Sequence, residues 1–482
     1  MANPQAVHNN QPEPQEAPGS EPCTTEGKQA LHRSILGSAL GNAVEWFDYG
    51  VYGYLTIYMA TNFFGSEEGD GGLGVTLTLA TLALSFLVRP LGGLILGPLG
   101  DRVGRQKVMV LTVTLMTLAT GCIGLLPTLE TVGLLAPVLL LICRLVQGFS
   151  AGGEYGGAAV YMAESAPDRR RGFFGSFLEF GTTVGFILAA IVCTSLIAVV
   201  GDQAMEDGWW RVPFLLTIPL GLTALWIRTR LIEAPVFSEA AQHAEVTKTP
   251  LRHVFRHNWR QLLVLAGFVV LLNVAFYLIL GYMPTYLSGQ LGHSTAQGNW
   301  MLVGIMALML VAIPPVGALS DRVGRKPLLM AAAGGYTLLS VPSVMLLGMD
   351  SLALQFLGLA VLGLLLVILV ASVSSTLPAL FPTAVRYTGF AIAYNFSTAF
   401  FAGPSQTIAN QLIETTGNQL VPGWYMAIAG IIGLVSVYCM RETAQATLRG
   451  EELPGLPDSV GLPKPRFVEL NRQDAEARRA SF

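Results

Sequence analysis

Charged residues are scarce in this sequence. Asp, Glu, Lys and Arg make up 12% of its 482 residues, about half of the roughly 25% that is usual in soluble proteins. The N-terminal stretch lacks the apolar core and the basic start of a cleavable signal peptide. The net charge of −3 gives no basic excess that would indicate a nucleic-acid partner. The composition therefore argues against an ordinary soluble domain and against a nucleic-acid-binding protein.

Cysteine is also sparse, with five in the chain. All except Cys23 lie in apolar stretches without metal-ligand spacing, where a free cysteine packs as a small hydrophobic residue. No nucleophile and base pair, phosphate loop or metal-ligand cluster occurs, and the glycine-rich AGGEYGG lies inside an apolar run. We therefore expect no enzyme activity, no cofactor and no metal.

Apolar residues are abundant, at 52%. They form about twelve runs, each near the roughly 20 residues that a helix needs to cross a bilayer. The predicted fold class is an all-α membrane protein. The runs cover residues 35–60, 75–98, 108–127, 134–162, 173–200, 210–229, 261–288, 299–319, 328–348, 351–378, 385–413 and 422–440.

Polar segments flank and divide these runs. We predict a disordered cytoplasmic arm at 1–33 and a cytoplasmic tail at 442–482. A cytoplasmic linker at 230–260 joins an N-terminal six-helix half at 34–229 to a C-terminal six-helix half at 261–441. Lys and Arg concentrate in the tails and in alternate loops, whereas the opposite loops contain acids only. The positive-inside rule therefore predicts an integral inner-membrane protein with both termini in the cytoplasm.

One loop motif occurs twice. GPLGDRVGRQKVM at 97–109 recurs as GALSDRVGRKPLL at 317–329, each time after an apolar run. Two halves related by an axis along the membrane normal would repeat in this same orientation. In the first copy, Gly100 and Gly104 are expected to permit a tight turn between helices.

The acid of each motif is placed to meet the opposite half. Asp101 ends the second run, where it is predicted to face the positive N-terminus of the eleventh helix, and Asp321 is predicted to face the fifth by symmetry. Such contacts would close the cytoplasmic side in one state and break in another. The alternative is a basic loop that only sets the topology.

These motifs resemble the signatures of a known transporter family. The doubled DRVGR motif and RLVQGFSAGGEYGGAAVYMAESAPDRRRG at 144–172 resemble the major facilitator superfamily, over the span of all the predicted helices. GNAVEWFDYGVYG, FLVRPLGG, GGEY, YMPTYLS and STLPALFPTAVRYTG resemble its metabolite:proton symporter branch, and most of all the proline/glycine betaine transporters. The resemblance implies the major facilitator fold and symport with protons.

The resemblance also implies that an acid and a base from the second signature act beside the loop motif at a cytoplasmic gate. The predicted gate residues are Asp101, Arg102, Gly104, Arg105, Glu164, Arg171, Asp321, Arg322, Gly324, Arg325 and Arg386. The tail departs from the resemblance, because its prolines exclude the coiled coil of some osmosensing transporters. We therefore do not predict osmotic activation.

Ionisable residues well inside the runs lie in the first half. Glu45, Asp48 and Tyr52 stand on one stripe of a helix, and a charge facing lipid costs at least roughly 2.5 kcal/mol. The stripe should therefore face the interior, where at least one acid takes up a proton. The alternative is a set of fixed ion pairs made by Arg89 and Arg144. The predicted proton and charge relay consists of Glu45, Asp48, Arg89, Arg144, Glu154 and Glu179.

Amides and aromatic rings supply the remaining polar positions in the runs. Ring faces bind an ammonium group by cation–π contact, and amides donate to a carboxylate. The alternative is that these side chains only pack or lie at the membrane interface. The predicted substrate-binding residues are Asn42, Trp46, Tyr52, Asn273, Tyr277, Tyr282 and Asn395.

The leading functional hypothesis is a proton-coupled symporter that imports a small zwitterionic solute such as proline or glycine betaine. An alternative is a proton symporter for a di- or tricarboxylate such as α-ketoglutarate or citrate, although four buried acids against two arginines disfavour an anion. A second alternative is a transporter-like solute sensor. The predicted partners are the small-molecule substrate, protons and the lipid bilayer, with no nucleic acid.

Overall fold

The structure is a computed structural model that describes residues 25–65, 73–229, 250–283, 286–291, 295–444, 446 and 448. Within these ranges all regular secondary structure is helical, which confirms the predicted class. The twelve long helices, named α1 to α12, are Thr25–Tyr54, Leu73–Val103, Arg105–Leu125, Leu135–Ser165, Arg171–Val200, Arg211–Thr229, Trp259–Phe276, Thr295–Val323, Arg325–Leu347, Leu352–Thr376, Arg386–Phe401 and Val421–Cys439.

Shorter helices prolong or connect these twelve. Thr56–Phe64 prolongs α1, a π-helical segment at Tyr277–Tyr282 prolongs α7, and Gly403–Thr416 prolongs α11. The connecting helices are Leu129–Val132, Asp168–Arg170, Asp202–Ala204, Met205–Trp209, Pro250–His257, Tyr286–Gln290, Pro378–Leu380 and Thr383–Val385.

In the described part of the chain, ten helices are long and apolar enough to cross a membrane. The remaining two of the twelve are α1 and α11. The first contains the buried acids Glu45 and Asp48, and the second ends after 16 residues at a break before its prolongation. One helix is therefore interrupted by charge and the other by a break in the backbone, and both features are typical of helices that face a transport path.

The two halves meet through equivalent helices. In the N-terminal half α1 packs on α5 and α2 on α4, while α9 packs on α12 and on α10 in the C-terminal half. Between the halves, α2 packs on α11 and α5 packs on α8. The two-fold symmetry that the repeated loop motif predicts relates one of these contacts to the other.

Glycines allow the closest helix approaches. A Cβ atom on Gly152 of α4 would overlap the carbonyl oxygen of Arg89 in α2, and one on Gly181 of α5 would overlap the carbonyl oxygen of Ala39 in α1. Small residues at such positions let two backbones touch, as in many membrane helix pairs.

The two motif loops have the same backbone. Gly104 and Gly324 adopt φ angles of 109° and 104°, in the region that favours glycine. The prediction for Gly100 was wrong, because this residue lies within α2 and not in the turn. A Cβ there would overlap the ring of Tyr387 in α11, so Gly100 serves a close contact between the halves.

The polar segments differ from their predicted boundaries where the structure describes them. Helix α1 begins at Thr25, inside the arm predicted to be disordered at 1–33. The predicted linker at 230–260 contains the helix Pro250–His257 and the start of α7. Residues 1–24, 230–249 and most of the predicted tail lie outside the described residues.

Candidate functional site

A cavity lies between the two halves, at the middle of the bundle. Its volume is about 10 Å³, roughly the space of a single water molecule, so the site is closed in this conformation. Small-molecule sites are typically apolar cavities with few polar groups, so this one is the candidate site. Its lining residues are Trp46, Tyr155, Glu179, Leu272, Asn273, Phe276, Tyr277, Val370 and Tyr394.

Aromatic rings form most of the cavity wall. The ring centroid of Trp46 lies 5.2 Å from that of Phe276 and 6.4 Å from that of Tyr277. Tyr155 stacks on Tyr394 across the two halves, with 4.5 Å between centroids. The indole Nε1 of Trp46 is buried and has no hydrogen-bond partner among the described residues. The wall therefore offers ring faces to a cation and an N–H group to an anion.

Glu179 of α5 contributes the carboxylate of this lining. Its side chain is buried, and Oε1 accepts a hydrogen bond from the Tyr155 hydroxyl at 2.7 Å. Among the residues that the structure describes, no Lys, Arg or His forms an ion pair with Glu179. An unpaired buried charge is costly, so this carboxylate calls for a proton or a cationic ligand.

The other three buried acids predicted for the relay each have an arginine partner. The oxygen–nitrogen distances are 3.4 Å for Glu45 and Arg89, 3.3 Å for Asp48 and Arg144, and 2.9 Å for Glu154 and Arg228. Sequence reasoning missed Arg228, because it lies at the end of a run and two residues before Arg230, where the pattern is that of a loop. Because Arg228 turns inward and pairs with Glu154, Glu179 is the one acid of the predicted relay without an arginine partner among the described residues.

Asp48 is held by several groups at once. Its Oδ2 contacts Nη1 of Arg144 at 3.3 Å and accepts a hydrogen bond from Gln147 at 2.8 Å. The ring of Tyr52 covers the guanidinium, whose carbon lies 3.5 Å from the ring centroid. These four residues are absent from the cavity lining. For Asp48 the geometry favours the alternative of a fixed ion pair.

The pair of Glu45 and Arg89 is looser. A single contact of 3.4 Å joins them, whereas Asp48 also accepts a hydrogen bond from Gln147. In the described part of the chain each pair leaves polar atoms without a hydrogen-bond partner, among them Glu45 Oε2 and Asp48 Oδ1. The guanidinium carbon lies 4.5 Å from the ring centroid of Phe86, and this ring meets Tyr277 edge-on at 5.5 Å. The pair therefore lies directly behind the aromatic wall of the cavity.

The predicted substrate-binding residues divide into two groups. Trp46, Asn273 and Tyr277 line the cavity. The others donate hydrogen bonds elsewhere, namely Asn42 to the Leu178 carbonyl, Tyr52 to the Thr78 carbonyl, Tyr282 to the Asn410 side chain and Asn395 to the Gly152 carbonyl. Helical periodicity does not distinguish a side chain that bridges two helices from one that faces a cavity. Sequence reasoning also left out Tyr155, which lines the cavity. Its position next to Glu154 in GGEYGG was the signal that could have identified it.

At one end of the bundle, each motif acid binds a helix N-terminus of the opposite half. We call this end, defined by residues 101–105 and 321–325, the motif face. The amide and hydroxyl of Thr388 in α11 donate to Asp101 Oδ2 at 2.8 and 2.6 Å. The amides at 172 and 173 in α5 donate to Asp321 at 2.7 and 2.9 Å. Both contacts satisfy free N–H groups at the positive end of a helix dipole.

A buried acid joins the halves beside these contacts. Glu164 Oε1 lies 2.7 Å from Nη1 of Arg386 and 3.2 Å from Nη2 of Arg105. Arg171, which the resemblance places with Glu164 beside the loop motif, contacts Asp168 and donates to the Ala163 carbonyl. The predicted gate residues Arg102 and Arg322 are exposed.

The chain after α12 crosses the motif face. We call residues 441–444, 446 and 448 the C-terminal strap. Arg171 of the N-terminal half donates to the Ala446 carbonyl at 3.1 Å, and Arg386 of the C-terminal half donates to the Leu448 carbonyl at 2.9 Å. The strap therefore accepts hydrogen bonds from buried arginines of both halves.

The strap also caps the N-terminus of α9. The carboxylate of Glu442 accepts hydrogen bonds from the amides of Arg325 and Lys326 at 3.1 and 3.0 Å. The guanidinium of Arg325 donates to the Thr443 carbonyl at 2.8 Å. The predicted tail at 442–482 thus begins as part of the packed structure.

Comparison with known proteins identifies the family. The model of the Major Facilitator Superfamily matches residues 38–405. The chain belongs to the major facilitator superfamily. It is thus an integral membrane protein of this superfamily, and the resemblance stated from its motifs is confirmed.

Relatives within the major facilitator superfamily share most of the chain. The glycine betaine/proline/ectoine/pipecolic acid transporter OusA of Dickeya dadantii is 42% identical over 429 residues, which cover 87% of this chain and 85% of that protein. The proline/betaine transporter of Escherichia coli strain K12 is 40% identical over the same shares. The ectoine/proline transporter ProP of Corynebacterium glutamicum is 42% identical over 434 residues, 87% of this chain and 86% of that protein.

Solved structures show the same major facilitator fold. The proton:xylose symporter XylE, bound to 6-bromo-6-deoxy-D-glucose, superposes with a TM-score of 0.70 at 20% sequence identity. The match covers 88% of this chain and 98% of that chain. At this level of identity the likeness concerns the fold alone.

Proposed function

We propose that this chain is a proton-coupled symporter that imports proline, glycine betaine or a similar zwitterionic solute by alternating access. The observation that carries the proposal is the cavity between the halves, whose wall combines aromatic rings with one carboxylate. Ring faces and an acid suit an ammonium group, whether quaternary or secondary. The relatives named for proline and betaine transport support the same class of substrate.

We assign the coupled proton to Glu45. When ionised, this acid is the partner of Arg89, and protonation removes the negative charge that balances the guanidinium. Arg89 then remains buried and positive behind the cavity wall, where an anion in the cavity is the available compensation. Proton and substrate carboxylate would therefore each favour binding of the other, which is the coupling that symport needs.

We assign the gate to the motif face and place that face in the cytoplasm. The contacts of Asp101 and Asp321 join the two halves there, so this end of the bundle must separate before a solute leaves through it. The excess of Lys and Arg in the loops on this side supports the orientation, with both termini cytoplasmic.

The dicarboxylate alternative is less well supported. Among the residues that the structure describes, those lining the cavity include Glu179 and no Lys, Arg or His. A substrate with two carboxylates would face this acid, and Arg89 behind the wall would balance only one of its two charges, which costs binding energy. A zwitterion presents one charge of each sign and avoids that cost.

Transport into proteoliposomes tests the proposal. Purified protein is reconstituted, and uptake of labelled proline, glycine betaine and α-ketoglutarate is followed under an inward proton gradient, with and without an uncoupler. We expect the two zwitterions to accumulate only while the gradient lasts. Accumulation of α-ketoglutarate alone would favour the anion symporter, and binding without counterflow would favour a sensor. Liposomes without protein give the background.

A further inference from the structure

Glu179 stands apart from the other buried acids of the N-terminal half, which are balanced by arginines within the protein. It lines the cavity itself, and it accepts hydrogen bonds from the hydroxyls of Tyr155 and Thr182. A neutral hydroxyl stabilises a carboxylate but does not cancel its charge. The arrangement leaves a negative charge in the wall of the cavity between the two halves.

The surroundings of this charge fit a cation of a particular kind. Tyr155, which donates to Glu179, is stacked on Tyr394, and Tyr394 is in turn stacked on Phe390 at 5.4 Å. Apolar ring faces solvate a bulky or methylated ammonium better than they solvate a small, strongly hydrated ion. The ring of Trp46 lies on another part of the wall and carries the unpartnered Nε1 donor.

We propose that Glu179 is the counter-ion of the substrate's positively charged nitrogen and is the residue that makes the cavity select zwitterions over plain carboxylates. This inference rests on the proposed function and deepens it. The two charged groups of the substrate then lie at different parts of the cavity wall. The nitrogen lies at Glu179, and the carboxylate lies toward Trp46 and Arg89. It also gives Glu179 a task different from the proton transfer assigned to Glu45.

An isosteric pair of compounds tests this assignment. Glycine betaine and 3,3-dimethylbutyrate have the same shape and the same carboxylate, but a carbon replaces the charged nitrogen in the second compound. Binding of both to the purified full-length protein is measured by calorimetry in detergent, and their inhibition of proline uptake is measured in proteoliposomes. The unaltered protein should prefer glycine betaine by roughly 100-fold, about 2.7 kcal/mol.

Glu179→Gln keeps the shape of the side chain and its oxygen acceptor for Tyr155, but removes the charge. We expect the preference to fall to below about threefold, because affinity for glycine betaine drops while affinity for 3,3-dimethylbutyrate changes little. Glu179→Asp keeps the charge and should retain most of the preference. Glu130→Gln makes the same chemical change at an exposed acid and should retain all of it.

The outcomes separate this inference from the proposed function. If Glu179→Gln keeps the full preference, or loses proton dependence while keeping it, Glu179 is not the counter-ion and the inference is overturned, although symport stands. If the unaltered protein transports neither proline nor betaine under a proton gradient, the proposed function itself fails, and the inference with it. Unchanged thermal unfolding of the Gln variant shows that a lost preference is not a folding defect.

Discussion

Glu154 of α4 and Arg228 of α6 form an ion pair inside the bundle, with 2.9 Å between Oε1 and Nη1 and both side chains buried. The same guanidinium donates to the backbone carbonyl of Met109 in α3 at 3.1 Å. Its Nε donates to the Gly37 carbonyl of α1 at 3.4 Å, so one arginine ties four helices of the N-terminal half together. Because both charges are buried, neither is tolerated well without the other.

Removal of Arg228 should therefore destabilise the protein by leaving a bare carboxylate. We expect Arg228→Gln to lower the free energy of unfolding by about 3 to 5 kcal/mol. The double variant Glu154→Gln, Arg228→Gln should regain most of this loss, because no buried charge remains. Thermal unfolding of the purified protein in detergent measures both. Additive losses in the double variant would show that the pair has no coupled role.

The two acids of α1 should behave differently. Glu45→Gln should abolish accumulation driven by a proton gradient while leaving substrate exchange across the membrane, because Arg89 is then permanently without its partner. Asp48→Asn should mainly lower stability, since Asp48 is bonded to Arg144 and Gln147 away from the cavity. Uptake and counterflow in proteoliposomes, together with thermal unfolding, distinguish the two effects. Loss of coupling in Asp48→Asn with full coupling in Glu45→Gln would reverse the assignment.

The motif acids should affect turnover more than binding. Asp101→Asn and Asp321→Asn each weaken a contact that joins the halves at the motif face, and the symmetry of these contacts predicts similar effects. We expect turnover to fall about tenfold or more in each, with substrate affinity within about threefold, since a lost charge-assisted bond costs roughly 1.5 to 3 kcal/mol. Transport kinetics and calorimetry check this. Asp350→Asn, at an exposed position, should change neither.

Two helical glycines should respond in opposite ways to the same substitution. Gly152→Ala places a methyl group against the carbonyl oxygen of Arg89 and should cost about 2 kcal/mol or more through forced separation of α2 and α4. Gly334→Ala meets no atom within 4 Å and should be neutral or up to about 1 kcal/mol stabilising. Thermal unfolding compares them directly. Equal effects would mean that the α2–α4 approach does not limit stability.

Helix number and placement follow closely from the sequence. A run of apolar residues has to be helical in a bilayer, because unpaired backbone groups are too costly there. The predicted run at 173–200 is observed as Arg171–Val200, and that at 422–440 as Val421–Cys439. The repeated motif supplied the symmetry of the halves, since the same residues recur at the same place in each.

The site itself was predicted only in part. Trp46, Asn273 and Tyr277 were expected at a binding site and line the cavity, whereas Asn395 donates to a backbone carbonyl of α4. The orientation of a polar side chain depends on the helix that packs against it. The sequence of one apolar run does not specify that neighbouring helix. Arg228 shows the same limit, because a long side chain at the end of a helix can turn inward as easily as outward.

The contacts of the C-terminal strap involve backbone carbonyls at 446 and 448. Every amino acid, proline included, has a backbone carbonyl oxygen. The residue types at positions 446 and 448 should therefore be less constrained than the arginines that donate to these oxygens. Truncation is another matter: a polypeptide cut short before Leu448 loses the acceptor itself. An affinity tag or fluorescent reporter should therefore be added after Leu448, and it should not replace the residues of the strap.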